Sequence, residues 1–414
     1  VTVAFHTAPE GTTTVSATAI PLDEKSAEAV LLKILAIDSV TGEEAAVAAA
    51  VAEELKKAGV PASAIRHDTV HERIPLPTQV GNLIAELPGT RPGPRLLFST
   101  HLDTVPLCKG AKPRREGDRI VSDGTTALGG DNGTGCVVLI ELARTLLQHK
   151  LPHPPITLLF TVREESGLHG ARELDPADLG GAAMCFNVDS THAAKLTIGG
   201  VGQTNWQAEI KGRAAHAGVA PERGISATLV ASIALTEAFR AGWFGKVVKP
   251  EGTGSSNAGV FGGKGMTPAG DATNVVTDFV RILGEARSLD AAFAARIAEA
   301  FGAAFEKARA EVKDADGATS QVAFKATTAY PPFELKEDAP AVKHAIRAVE
   351  SLGMTPVTEL SRGGLDANWL VKHGVPTVTF GAGQAEIHTV DEYVDLPEFF
   401  RGCRLAVALA MLEG

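Results

Sequence analysis

The sequence predicts an α/β fold, a mostly parallel central sheet flanked by helices and interrupted by a smaller α/β sandwich. Two observations predict it. Continuous apolar runs of strand length, at residues 96–100, 156–162 and 183–188, are separated by helical patterns, as strands buried on both faces of a parallel sheet are. From about Gln203 apolar and polar residues alternate instead, as in antiparallel strands with one face in water. After Pro331 and Pro332 the buried pattern returns. The expected division is a main domain at 1–202, an inserted domain at 203–328, and the rest of the main domain at 329–414.

In chain order, the opening VTVAFHTAPEGTTTVSATA lacks a basic region followed by an apolar one, so no signal peptide is expected, only an extra strand or a loose tail. Helices follow at 23–38 and 42–58, each with apolar residues at three-to-four spacing. A strand at 96–100, a Val-, Leu- and Ala-rich helix at 132–149, and strands at 156–162 and 183–188 complete the first part. The insertion reads as a strand at 203–211, a helix at 227–241, a strand at 274–283, an Ala-rich helix at 290–312 and a strand at 321–328. The return carries helices at 340–352 and 366–373, a strand at 377–380 and a helix at 396–412.

Composition narrows the function. The chain has 414 residues, 44% hydrophobic and 21% charged, enough for two or three globular domains. No apolar run reaches membrane-spanning length, so no membrane partner is expected. A net charge of −10 argues against nucleic acid, and the cluster Lys109, Lys112, Arg114 and Arg115 reads as a solvated loop. Cys108, Cys136, Cys185 and Cys403 are widely spaced and form no CxxC, which fits reduced thiols in a cytoplasmic protein.

The chemistry sits where the buried strands end. The first predicted strand ends at His101-Leu102-Asp103, the second at Arg163-Glu164-Glu165, the third at Asp189. Ligands of open parallel sheets bind outside the carboxyl ends of the strands. A His and several carboxylates gathered at one such edge need a cation, and a metal site supplies it. In an extended segment His101 and Asp103 share a face, so one can ligate while the other accepts the imidazole's second N–H. Glu164 and Glu165 are adjacent and face apart: one can ligate, the other can act as a base on water. Mixed His and carboxylate ligands favour zinc, with manganese or cobalt as alternatives. Between the first two strands, ALGGDNGTG places Asp131 at a glycine-rich turn into a helix, where a carboxylate can bridge two metals. A phosphate-cradling loop is disfavoured there, since no Gly-Lys-Ser/Thr follows.

Seven segments in order, HLDTVP, GGDNGTG, VREESGLHGA, FNVDS, AAHAGVAPERGISA, NVVTDFVRILGEAR and IHTVDEYV, resemble the dinuclear zinc peptidases. That superfamily includes peptidase T, aminoacylase and the glutamate carboxypeptidases, and the resemblance covers nearly the whole chain. RGGLDANWL and IHTVDEY look most like the peptidase T-like branch. The resemblance implies a zinc-peptidase catalytic domain with an inserted lid, which often also forms a homodimer. It implies two zinc ions, one on His101 and Asp189, the other on Glu165 and His388, with Asp131 bridging. It makes Glu164 the general base and Asp103 the partner of His101, and it expects a cis bond at Asp131-Asn132. His216, Asn274 and Arg287 become substrate contacts, with Arg362 a further candidate. The other histidines are assigned no chemistry, and Asp366 is read as a helix cap.

The implied reaction is hydrolysis of short peptides by an aminopeptidase or tripeptidase. In the superfamily Asp at the Asp189 position goes mostly with aminopeptidases, Glu with carboxypeptidases and N-acyl-amino-acid deacylases, which are the alternatives. A non-catalytic binding relative should have lost Glu164 or a ligand, and neither is lost. A nucleotide-binding enzyme should carry its glycine-rich turn directly after the first strand, and this turn lies well beyond it.

Overall fold

The structure, a computed structural model, describes residues 20–413. The strand or tail expected at the N-terminus falls outside them. The chain divides into two compact units, one of residues up to Ile198 with Leu335–Glu359 and the residues from Leu365 on, the other of Gly199–Glu334 with Leu360–Gly364.

In the first unit the sheet runs Ile65–His67, Leu83–Leu87, Ile156–Thr161, Leu96–His101, Met184–Val188, Thr377–Phe380, then Lys195–Gly200. The middle strands Ile156–Thr161, Leu96–His101, Met184–Val188 and Thr377–Phe380 are mutually parallel. Leu83–Leu87 and Lys195–Gly200 flank them antiparallel. Side chains alternate across a strand, and both sets are buried. Leu96 and Phe98 join the large core, while Leu97 joins a second core with Ile84, Leu159, Cys185 and Leu370. The helices Glu24–Leu35, Ala45–Ala58 and Leu396–Met411 pack around Gly130–Gln148, which is buried nearly all round. Asp23 and Asp395 cap two of them, accepting from the Ser26 and Glu398 amides at 3.0 and 2.9 Å. The register, His101 beside Thr161 and Phe380 beside Val188, brings the carboxyl ends of all four parallel strands to one edge.

Two local expectations differ. The helix expected from residue 42 starts at Ala45, because Gly42 adopts φ +92° and the Glu44 carboxylate accepts its N–H at 2.7 Å. Asp366 does not cap its helix. Leu365 holds the N-cap position, and the Asp366 side chain accepts a hydrogen bond from the Thr161 hydroxyl instead.

The second unit is a five-stranded antiparallel sheet in the order Gly245–Lys249, Gly252–Gly262, Phe279–Ser288, Gly202–Lys211, Gln321–Tyr330. The helices Ala227–Arg240 and Ala291–Glu311 form its core with the buried sheet face. The strand expected at 274–283 begins only at Phe279. Its first residues pair elsewhere: the Ala217 amide donates to the Asn274 carbonyl at 2.8 Å, and the Val276 amide to that of Ala215 at 2.9 Å.

Trp206 anchors this unit, stacked on Phe301 at 4.6 Å and on Phe324 at 5.9 Å. The indole lies across its register partner Gly284, where a Cβ would sit 2.1 Å from Trp206 Cζ2. Gly284→Ala should therefore overpack the sheet and cost about 1–3 kcal/mol. Thermal denaturation reads this directly, and an unchanged midpoint would show that the indole can move aside freely.

Candidate active site

The candidate side chains sit where regular elements begin or end. His101 is the last residue of its strand and is 2% exposed. Its Nδ1 donates to the Asp103 carbonyl oxygen at 2.9 Å, which turns Nε2 toward Asp131 Oδ1 at 3.1 Å and Asp189 Oδ1 at 3.8 Å. Asp189 follows the strand Met184–Val188, its amide bonded to the Phe380 carbonyl and its Oδ1 accepting from Gln384 at 3.3 Å.

Asp131 stands on the glycine-rich turn. Gly129 takes φ +81°, and the peptide Asp131–Asn132 is cis. Glu392, buried, accepts the Leu128, Gly129 and Asp131 amides at 2.7, 2.8 and 3.0 Å and so holds the turn open. Asn132 donates to the Val188 carbonyl at 2.6 Å, tying the turn to the strand that delivers Asp189. His388 stands at φ +63° in the loop between Gln384–Ala385 and Tyr393–Asp395. Its Nε2 lies 2.9 Å from Glu165 Oε1 and 3.3 Å from Asp131 Oδ2.

Asp103 faces His101 and also holds the turn that follows the neighbouring strand. Oδ1 is 3.5 Å from His101 Nδ1, and the two oxygens accept the Glu164 and Glu165 amides at 2.9 and 3.1 Å. The carboxyl of Glu164, almost fully buried, makes no hydrogen bond to the described residues.

These contacts set the charge states. Burial opposes ionisation of Asp131, but hydrogen bonds from His101 and His388 outweigh it and hold its carboxyl well below the usual range. Burial raises Glu165 to about 7, against the His388 hydrogen bond. Burial also pushes Glu164 well up, helped by the charges of Asp189 and Asp366. The Asp131 and Glu165 hydrogen bonds lift His388 to about 10. His101 is likewise raised despite its burial, by Asp103, Asp131 and Asp189. Protons on the imidazoles thus stand where cations would.

The donor set fits a metal. Ligand atoms of His101, Asp131 and Glu165 all lie within 4.8 Å of one another. His388 and Asp189 reach the same atoms, so the first unit brings together all five sequence-predicted ligands with Glu164 and Asp103. Sequence reasoning missed Glu392, although it lies inside IHTVDEYV, and missed Gln384 and Asp366. Asp366 is 1% exposed, with its titration pushed by burial to about 7.

The second unit groups the remaining candidates. His216 and Val275 form an isolated bridge, which sets His216 beside Asn274. Arg287 is held by Glu285 at both Nε and Nη2, each contact 2.9 Å, and its Nη1 reaches the Arg362 carbonyl at 3.4 Å. Arg362 is exposed and makes no ion pair with the described residues. The basic loop cluster is neutralised, Lys109 by Glu43, Lys112 by Asp123, Arg114 by Glu116 and Arg115 by Glu28. Among the described residues no helix is long and apolar enough to cross a membrane.

A divalent cation entering this site must displace protons, since His388 titrates at about 10 and Glu165 at about 7 without one. Zinc binding should therefore release protons at neutral pH, and affinity should fall as pH is lowered from about 9 to about 6. Calorimetry in buffers of different ionisation enthalpy measures the release, and His388→Ala should diminish it. Buffer-independent heats at pH 7 would contradict these charge states.

Residues 97–412 match the model of peptidase family M20/M25/M40. The crystal structure of aminopeptidase PepT from Bacillus cereus is 32% identical with a TM-score of 0.81, over 94% of this chain and 98% of that one. That of a tripeptidase from Staphylococcus aureus is 27% identical with a TM-score of 0.84, over the same 94% and 98%. Carboxypeptidase G2 of Pseudomonas sp. strain RS-16 is 28% identical over 92% of this chain and 88% of its own length. With this site and these relatives, the chain is a metallopeptidase belonging to peptidase family M20/M25/M40.

Proposed function

We propose that this metallopeptidase is an aminopeptidase that cleaves short peptides, tripeptides among them, with two zinc ions that cobalt or manganese can replace. One observation carries the reading: five ligand side chains face each other while Glu164 stands beside them with its carboxyl uncommitted. His101 and Asp189 would hold one ion, Glu165 and His388 the other, and Asp131 both. The ions supply a water of lowered pKa and positive charge for the developing oxyanion.

The chain's own residues do the rest. Glu164, raised by its buried position, takes the proton of the attacking water and passes it to the leaving amine. Asp103 fixes where it stands by holding its amide. Asp189 has a short side chain, which leaves room for a free substrate amine beside acidic groups; an acylated amine gains nothing from those surroundings. The aminopeptidase and tripeptidase among the similar structures support the same direction.

In the inserted unit, a lid in this reading, His216 and Asn274 would contact the reacting carbonyl. Arg362 is the better candidate for a substrate carboxylate, because Glu285 already occupies the guanidinium fork of Arg287. Homodimerisation through this unit belongs to the same reading, as does a cytoplasmic setting, which four buried free thiols suit.

Two measurements test it. Glu164→Gln should keep its metals yet lose about 10²–10⁴ in turnover, and near-normal turnover would remove Glu164 from the chemistry. On the zinc-loaded enzyme a free tripeptide should be cleaved faster than its N-acetylated form. The reverse order would turn the assignment to a deacylase or carboxypeptidase, the activity named for the Pseudomonas relative.

A further inference from the structure

The turn that presents Glu164 and Glu165 is held by side chains. The amides of Val162, Arg163, Glu164 and Glu165 are accepted in sequence by Asn82 Oδ1 at 3.0 Å, Glu44 Oε1 at 3.1 Å, Asp103 Oδ1 at 2.9 Å and Asp103 Oδ2 at 3.1 Å. The turn needs this hold. Arg163 sits at φ +53°, a left-handed conformation that costs a side-chain-bearing residue roughly 1–2 kcal/mol.

One of these contacts and two further ones come from a single segment, residues 41–44. The Glu44 oxygen that accepts the Arg163 amide also accepts the Gly42 amide, at 2.7 Å. The Thr41 and Ser166 hydroxyls bond at 2.8 Å, just past Glu165. The Arg163 guanidinium lies against Gly42, where a Cβ would come within 2.2 Å of Nη2, and it bonds Thr78 Oγ1 at 2.7 Å, Ser166 Oγ at 3.1 Å and the Pro77 carbonyl. Glu44 is fully buried, and its second oxygen has no partner among the described residues. A buried carboxylate with an orphaned oxygen is costly. An apolar replacement would remove that oxygen but leave the Arg163 and Gly42 amides without their acceptor.

We propose that the segment 41–44 is a brace that positions the Glu164–Glu165 pair, with Glu44 as its principal positioning residue. The proposal rests on Glu164 as base and Glu165 as ligand. Glu44 touches neither substrate nor metal; it acts through the Arg163 amide on the direction in which the next two side chains leave the chain.

Three variants test the brace at saturating zinc on a free tripeptide. Glu44→Met keeps the volume without an acceptor, and its kcat should fall about 10–100-fold with KM and metal content unchanged. Glu44→Gln keeps the acceptor and should restore kcat to within a few-fold of the parent. If Glu44→Met does not fold, Thr41→Val, which removes only the Ser166 contact, should lower kcat several-fold at unchanged KM and unchanged melting temperature. A Glu44→Met or Thr41→Val enzyme with the parent kcat overturns the brace, as does a Glu44→Gln enzyme as impaired as Glu44→Met. The reading beneath fails separately: an active Glu164→Gln enzyme refutes the base, whereas an inactive one beside a fully active Glu44→Met refutes only the brace.

Discussion

Negative charge held in a dry place is the constraint on which the rest of this structure depends. Asp103, Asp131, Glu164 and Asp366 are buried at one sheet edge, with Asp189 and Glu165 beside them and only two imidazoles to answer. Two like charges 4 Å apart repel by about 4 kcal/mol even at an effective dielectric near 20. Such a cluster is tolerable only with cations in it, and the raised imidazoles show the site recruiting protons in that role.

Carboxylates here act on the backbone as well as on ions. Asp103 holds the turn of Glu164 and Glu165, Glu392 holds the turn of Asp131, and Glu44 holds Arg163. A loop that carries ligands lacks the hydrogen bonding of a strand or helix, and its buried amides still need acceptors. An acceptor that is itself buried fixes a loop more firmly than water can. The same device recurs three times around one centre, so the geometry of the proposed ligands is set by carboxylates outside the proposed ligand set.

The parts legible in the sequence were those written in local pattern. Apolar runs marked the Leu96, Ile156 and Met184 strands because both faces of the sheet are covered, and the change of period at Gln203 marked the half-buried strand Gly202–Lys211. Leu83–Leu87 escaped because its five residues lie in a stretch without flanking helices, and Gly245–Lys249 and Gly252–Gly262 escaped because glycine breaks their alternation. His101, Glu164, Glu165 and Asp189 stood out as polar residues where apolar runs end, and Asp131 as an acid on a glycine-rich turn. Glu392, Glu44 and Asp366 could not, since each serves an amide or hydroxyl far away in sequence, and nothing local distinguishes such a carboxylate from a solvated one. Arg287 shows the converse: the strand expected at 274–283 left it outside, but it lies within Phe279–Ser288, where the pleat sets it beside Glu285.

The returning part of the first unit answers the same charge problem. Residues before the insertion provide His101, Asp131, Glu165 and Asp189, with a single imidazole among three carboxylates. The returning chain adds the Thr377–Phe380 strand against Met184–Val188, then Gln384 to donate to Asp189, His388 to meet Asp131 and Glu165, and Glu392 to fix the Asp131 turn. Without these residues the carboxylates would have neither donors nor a fixed loop, and the balance of burial against repulsion would favour opening the edge to water. The proposed metal site is therefore complete only when the last eighty or so residues have docked. The contacts that complete the fold of this unit are the same contacts that complete its chemistry.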